Sequence, residues 1–136
     1  MYGDTHIGLV RSKNEDRYLM KKINDDAVIF AVADGMGGEP AGDIAADVMI
    51  SKLSDMEPDS GSILSLLCRC IEDANQAIID KVGLNPHLMG MGTTVTCALV
   101  KIKLSIGRMW ETAGCIILKT ADCFRSLKIR ICFSFF

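Results

Sequence analysis

The sequence has 136 residues, of which 49% are apolar and 24% charged, and this balance is typical of a globular domain rather than a disordered chain. A formal net charge of -2 gives no sign of a nucleic-acid partner or of an anionic membrane surface. Residues 1–20 mix charges with glycine and no apolar run reaches membrane-spanning length, so we expect no signal peptide, no membrane partner and a cytoplasmic location.

The first half of the chain predicts strands followed by a helix. Residues 5–10 and 17–22 are expected to form strands on either side of a polar turn, Arg11 to Asp16. Residues 27–33 form a continuous apolar run, which predicts a strand buried on both faces. Three glycines in the next five residues are expected to end that strand at Asp34.

The second half predicts two helices, a strand and a region without periodicity. Apolar residues recur at helical spacing over 41–56 and again over 63–78, where Gly83 is expected to end the second helix. Residues 92–100 predict a strand with 101–106 as its hairpin partner. Residues 108–136 follow no period, so we divide the chain into an ordered part, 1–107, and an anomalous tail, 108–136.

The six cysteines are predicted to be reduced, because no export signal accompanies them and no pair has the spacing of a zinc site. Buried free thiols are the expected state. They stand at Cys68, Cys70, Cys97, Cys115, Cys123 and Cys132.

Two acidic clusters carry the candidate chemistry. Glu15 and Asp16 lie in the polar turn, and Asp34 with Gly35 follows the most apolar strand. Carboxylate and carbonyl oxygens of this kind hold hard cations, and Arg11 in the same turn would let a phosphate sit between cation and guanidinium. A simple Asp-Gly turn is the alternative, which the following helix disfavours because a hairpin turn should lead into a strand. A dinucleotide-binding glycine loop fits poorly, since no second strand follows the helix.

Four motifs occur in order along residues 8–95, and together they resemble the bacterial branch of the PP2C-type (metal-dependent) protein serine/threonine phosphatases. The resemblance implies an α+β fold, the N-terminal and incomplete part of an α-β-β-α sandwich with two antiparallel sheets flanked by helices. The motifs are Gly8-x-Val10-Arg11-x-x-Asn14-Glu15-Asp16, Val32-Ala33-Asp34-Gly35-Met36-Gly37-Gly38, Gly42-x-x-Ala45 and Gly90-Met91-Gly92-Thr93-Thr94-Val95.

The same resemblance implies a two-metal site and its substrate. Asp34 would bridge two Mn2+ or Mg2+ ions and the Gly35 carbonyl would bind one of them, with Glu15 and Asp16 acting mostly through bound waters. Arg11 would grip the substrate phosphate. The reaction would be attack by a metal-activated hydroxide on phosphoserine or phosphothreonine in proteins, opposing a serine/threonine kinase.

The family's later motifs, including two further metal-binding aspartates, do not occur in residues 101–136. Met109 and Trp110 have single codons, and reading one base earlier, from the last base of the Arg108 codon, gives the Val-Gly that the family has next. We therefore interpret the tail as out-of-frame peptide after a frameshift near residues 101–108. The chain as written is expected to have negligible activity; the alternatives are a non-catalytic fragment that docks a kinase or phosphoprotein, and an unrelated acidic metal-binding fold.

Overall fold

The computed structural model describes residues 14–25, 27–36, 41–58, 61–101, 114–121 and 128–135. These residues form five strands and two α-helices, with a short 3-10 turn at Pro86–Leu88. The elements in chain order are β1 (Asp16–Asn24), β2 (Ala27–Met36), α1 (Ala41–Ser54), α2 (Ile63–Leu84), β3 (Gly92–Lys101), β4 (Gly114–Ala121) and β5 (Lys128–Phe135).

The strands form one antiparallel sheet in the order β1-β2-β3-β4-β5. Each strand pairs with its neighbours in the chain, and both helices fall between β2 and β3. Helices layered on an antiparallel sheet confirm the predicted α+β class and match the helix-and-sheet half of the expected sandwich.

The core lies between the sheet and the helices. Every second residue of β2, including Ile29, Ala31 and Ala33, is fully buried, and so are Met49 and Leu53 of α1. α1 packs on β1, β2 and β3, and α2 packs on α1. Burial of these side chains, at about 1.5–3 kcal/mol for each large one, is the main term that holds the helices on this face.

The other face of β2 corrects the prediction of a strand buried on both sides. Val32 is 53% exposed, and Tyr18, its partner on β1, is 43% exposed. Within the described ranges both helices cover the opposite face of the sheet. The apolar residues of β2 that point away from the helices, such as Val32, are therefore left uncovered by these two layers. A second sheet on this face is what the sandwich fold implies.

β2 also runs further than predicted. It continues through Asp34 and Gly35 to Met36, because β3 pairs with it along its whole length, from Ala27 opposite Lys101 to Met36 opposite Gly92. Ladder hydrogen bonds on both sides outweigh the poor strand propensity of glycine. Asp34 therefore lies inside the strand.

The remaining elements agree with the predictions in part. α2 passes through Gly83 to Leu84, one residue beyond the predicted end. The strand beside β3 is β4, at 114–121. Of the predicted hairpin partner, 101–106, Lys101 is the last residue of β3 and 102–106 lie outside the described residues. Both β4 and β5 fall in the region that showed no period. The predicted strand at 5–10 lies outside the described residues. In the described part of the chain, neither helix has the length and apolar character needed to cross a membrane.

Candidate functional site

Two carboxylates of the candidate site face each other across β1 and β2. Asp16, the first residue of β1, is the direct partner of Asp34 in the antiparallel register. Directly opposed residues project from the same face of a sheet with Cβ atoms about 4.5–5.5 Å apart. Asp34 is exposed and Asp16 half-buried, so both side chains can be reached from solvent.

This pairing places like charges side by side, which destabilises a sheet unless a cation offsets it. Among the described residues, the ion pairs are Arg17 with Asp47 and Lys22 with Asp25, and neither Asp16 nor Asp34 has a cationic side chain as partner. A bound cation is one arrangement that would offset these two charges.

Gly35 brings the end of β2 against the first turn of α1. Its amide donates a hydrogen bond to the carbonyl oxygen of Glu15, with an N–O distance of 3.3 Å. A Cβ atom built on Gly35 would lie 2.4 Å from the carbonyl oxygen of Gly42, the second residue of α1, and 3.0 Å from the Glu15 carbonyl oxygen. Only a glycine permits this approach.

Glu15 lies on the helix side of this junction. A Cβ atom on Gly42 would sit 3.2 Å from the carboxyl carbon of Glu15, so that carboxylate lies beside the first turn of α1. Negative charge is favoured there because the first backbone N–H groups of a helix point outward. Asp16 and Asp34, by contrast, project from the open face of the sheet, on which Tyr18 and Val32 are exposed.

Thr93 fixes the backbone of β2 behind the two aspartates. It is fully buried, and the single proton of its hydroxyl is shared between two acceptors, the carbonyl oxygen of Asp34 at 3.1 Å and that of Thr94 at 3.0 Å. Thr93 lies in the strand predicted over residues 92–100, but no role was predicted for its side chain. One feature of the sequence could have singled it out. Thr93 carries a hydroxyl at a position on the strand face where the next residues, Val95 and Cys97, are apolar.

The turn before β1 is closed by Asn14. Its side-chain oxygen accepts a hydrogen bond from the Asp16 amide at 3.0 Å, which fixes the direction in which Asp16 enters the strand.

The structure brings four of the predicted site residues to one end of the β1–β2 pair: Glu15, Asp16, Asp34 and Gly35. The fifth, Arg11, lies outside the described residues. No three His, Cys, Asp or Glu side chains within the described ranges are grouped so that they could hold a metal ion by themselves. The site therefore offers a pair of opposed carboxylates with Glu15 on the far side of the strand.

Comparison with known proteins identifies the fold to which this arrangement belongs. No protein-family model matches the chain. The chain is 39% identical over 94 residues to the serine/threonine protein phosphatase PstP of Mycobacterium tuberculosis, a match that covers 68% of the chain and 17% of that protein. It is 33% identical over 120 residues to the serine/threonine phosphatase stp of Listeria monocytogenes, covering 83% of the chain and 48% of that protein.

Solved structures agree. The chain superposes on the crystal structure of M. tuberculosis PstP with a TM-score of 0.65 and 32% identity, over 86% of the chain and 44% of the PstP chain. The chain corresponds to the N-terminal part of the bacterial PP2C-type phosphatase domain. A structure of the PstP catalytic domain holds two manganese ions. Staphylococcus aureus Stp1, another PP2C-type neighbour, matches with a TM-score of 0.68, and the chain covers 50% of it. The chain thus spans about half or less of each of these relatives.

Proposed function

We propose that the Asp16–Asp34 pair is the cation-binding part of a protein serine/threonine phosphatase site. The observation that carries this proposal is the register that sets the two carboxylates directly opposite each other, beside the glycine junction of β2 and α1.

The residues fit a hard divalent cation. All the candidate ligands are oxygens, from the Asp16 and Asp34 carboxylates and the Gly35 carbonyl. Mg2+ and similar ions keep several waters and bind through one or two carboxylates, so a site with two protein carboxylates and solvent access suits them. The two manganese ions in the PstP structure favour Mn2+ and a count of two for the whole domain. When bound, such ions activate water for attack on phosphorus and offset charge on the phosphoryl oxygens.

The proposed roles of the residues differ: some would bind the cation, some hold the backbone in place and one would bind the phosphate. Asp34 would hold the cation directly, and Asp16, opposite it, would be the second carboxylate, in direct contact or through a water. Glu15, on the helix side of the strand, would act through water alone. Thr93 holds the Asp34 carbonyl in place, and the junction of Gly35 with Gly42 keeps bulky side chains away from that end of the strand. Arg11 would bind the substrate phosphate, as the resemblance implies.

The substrates and partners proposed for the whole protein follow from its relatives, which are named as serine/threonine phosphatases. We propose phosphoserine and phosphothreonine proteins as substrates and a serine/threonine kinase as the opposing enzyme, in the cytoplasm. For the chain as written we expect turnover to be negligible without the aspartates of the family's second half.

A chimera tests the proposal without requiring activity from the chain alone. Residues 1–101 would be joined, after β3, to the remainder of the PstP catalytic domain, and phosphate release from a phosphothreonine peptide measured with Mn2+. We expect Mn2+-dependent turnover that Asp34→Asn abolishes. Asp25→Asn is the matched control, because Asp25 is exposed at the opposite end of the β1–β2 hairpin. A folded chimera whose turnover survives Asp34→Asn would refute the assignment.

A further inference from the structure

Arg17 connects the acidic turn to α1 through one side chain. Its Nε donates to Asp47 Oδ1 at 2.6 Å and its Nη2 to Asp47 Oδ2 at 3.4 Å, so the guanidinium grips the carboxylate of an α1 residue with two nitrogens. This two-point contact fixes the plane of the guanidinium.

The third nitrogen of Arg17 holds the turn itself. Nη1 donates to the carbonyl oxygen of Asn14 at 2.8 Å and to that of Asp16 at 3.1 Å. These two carbonyls lie on either side of Glu15. The turn is thus fixed from two directions, by Arg17 on its carbonyls and by the Asn14 side chain on the Asp16 amide.

Stability alone does not account for this arrangement. The side chains of Arg17 and Asp47 are 33% and 59% exposed, and ion pairs this accessible to solvent contribute little to folding. What the contacts do fix is the position of the Asn14–Asp16 backbone relative to α1, whose first turn packs on Gly35 and Glu15.

We propose that Arg17 is a positioning residue for the cation site: clamped on Asp47, it holds the turn so that Asp16 stays opposite Asp34. This inference rests on the proposed function. Arg17 does not contact the cation. Lysine cannot replace it, because one ammonium group cannot grip the Asp47 carboxylate and reach both turn carbonyls in a single plane.

Lys21 provides a matched control on the same strand. Its Nζ donates to the carbonyl oxygens of Ser54, at 2.6 Å, and Met56, so it ties β1 to the far end of α1 without touching the turn. Lys21→Met and Arg17→Met each remove one strand-to-helix contact, and only the second affects the turn.

The test measures Mn2+ affinity by electron paramagnetic resonance of free Mn2+, with thermal unfolding of the metal-free chain and hydrogen exchange of the Gly35 amide as further readouts. Arg17→Met should weaken Mn2+ binding about tenfold, the lower end of the range for residues that orient metal ligands. Arg17→Lys should lose nearly as much and Asp47→Asn an intermediate amount. The Gly35 amide, bonded to the Glu15 carbonyl, should exchange faster in Arg17→Met. Lys21→Met should leave the Mn2+ affinity and the exchange rate of the Gly35 amide unchanged, whatever its effect on thermal unfolding.

Two outcomes distinguish a failure of the proposed role of Arg17 from a failure of the proposed cation site. If the unaltered chain binds Mn2+ and Asp34→Asn abolishes binding, but Arg17→Met and Lys21→Met have equal effects, Arg17 is a structural contact and the inference is wrong. If the unaltered chain binds Mn2+ no better than Asp34→Asn does, the proposed cation site is wrong and the role of Arg17 falls with it.

Discussion

The position that a Cβ atom of Gly35 would occupy lies 2.4 Å from the carbonyl oxygen of Gly42. Strand and helix backbones are therefore in direct contact at the candidate site, and the two glycines act as a pair. At Gly83, in α2, a Cβ atom would meet no described atom within 4 Å beyond its own turn of helix.

Gly35→Ala should therefore be strongly destabilising. The new methyl group would meet backbone atoms, which cannot rotate away as a side chain would, and overpacking of this kind costs about 1–3 kcal/mol or more. Gly83→Ala should be neutral or stabilising by up to about 1 kcal/mol, because alanine favours the helix. Urea unfolding of both variants measures the difference. Equal free energies of unfolding for the two variants would show that the backbones are not in contact.

Repulsion between the opposed aspartates should lower the free energy of unfolding of the metal-free chain. Asp34→Asn removes one of two like charges, so it should raise the free energy of unfolding without metal by about 0.2–1 kcal/mol while it lowers Mn2+ affinity. The gain should shrink as salt is added, since salt screens exposed charges. Asp25→Asn should give no gain, because Asp25 pairs with Lys22. A loss of stability on Asp34→Asn would mean that its carboxylate has a favourable partner.

Thr93→Val tests the support behind Asp34. Valine keeps the shape of the side chain and removes the hydroxyl that donates to the Asp34 and Thr94 carbonyls, so unfolding should become easier by about 1 kcal/mol. Thr96→Val, at an exposed position of the same strand, is the control and should change little. The prediction fails if both variants melt at the same temperature.

Cys97 should make the stability of the folded chain fall at alkaline pH. Burial raises the pKa of this thiol from 9.0 to about 12, so the folded state favours the neutral thiol. Its contribution to stability is complete below the unfolded pKa, near 9, and is lost as pH rises toward 12. Between pH 9 and pH 10 the chain should lose about 1 kcal/mol more than Cys97→Ala does. If the free energy of unfolding fell equally with pH in the unaltered chain and in Cys97→Ala, the prediction would be contradicted.

The helices and the position of β2 could be predicted from the sequence because their periodicity is strong. The apolar residues from Ala41 to Leu53 recur at helical spacing, and α1 buries them. The end of β2 could not be predicted, since glycine propensity is a local quantity whereas the pairing of Gly35 with Thr93 depends on a strand more than fifty residues away. The out-of-frame interpretation of residues 108–136 stays a prediction, to be checked by sequencing the source DNA.

The facing of Asp16 and Asp34 depends on a detail that no motif shows. The β1–β2 register shifts between Lys22 and Asn24, which leaves Ile23 as an extra residue in β1. If the pairing of Asn24 with Ala27 continued without this shift, Asp16 would lie opposite Gly35. A slip of one residue moves a side chain to the other face of the sheet, so the irregularity at Ile23 decides whether the two carboxylates meet.

The most direct test of the cation site is a Mn2+ titration of the unaltered chain and of Asp34→Asn, with free Mn2+ measured by electron paramagnetic resonance. We predict that the chain binds Mn2+, that Mg2+ competes, and that Asp34→Asn weakens binding by about tenfold or more, because a unit charge is removed from the ligand set. Equal binding by the chain and by Asp34→Asn would contradict the assignment of the opposed aspartates as a metal site.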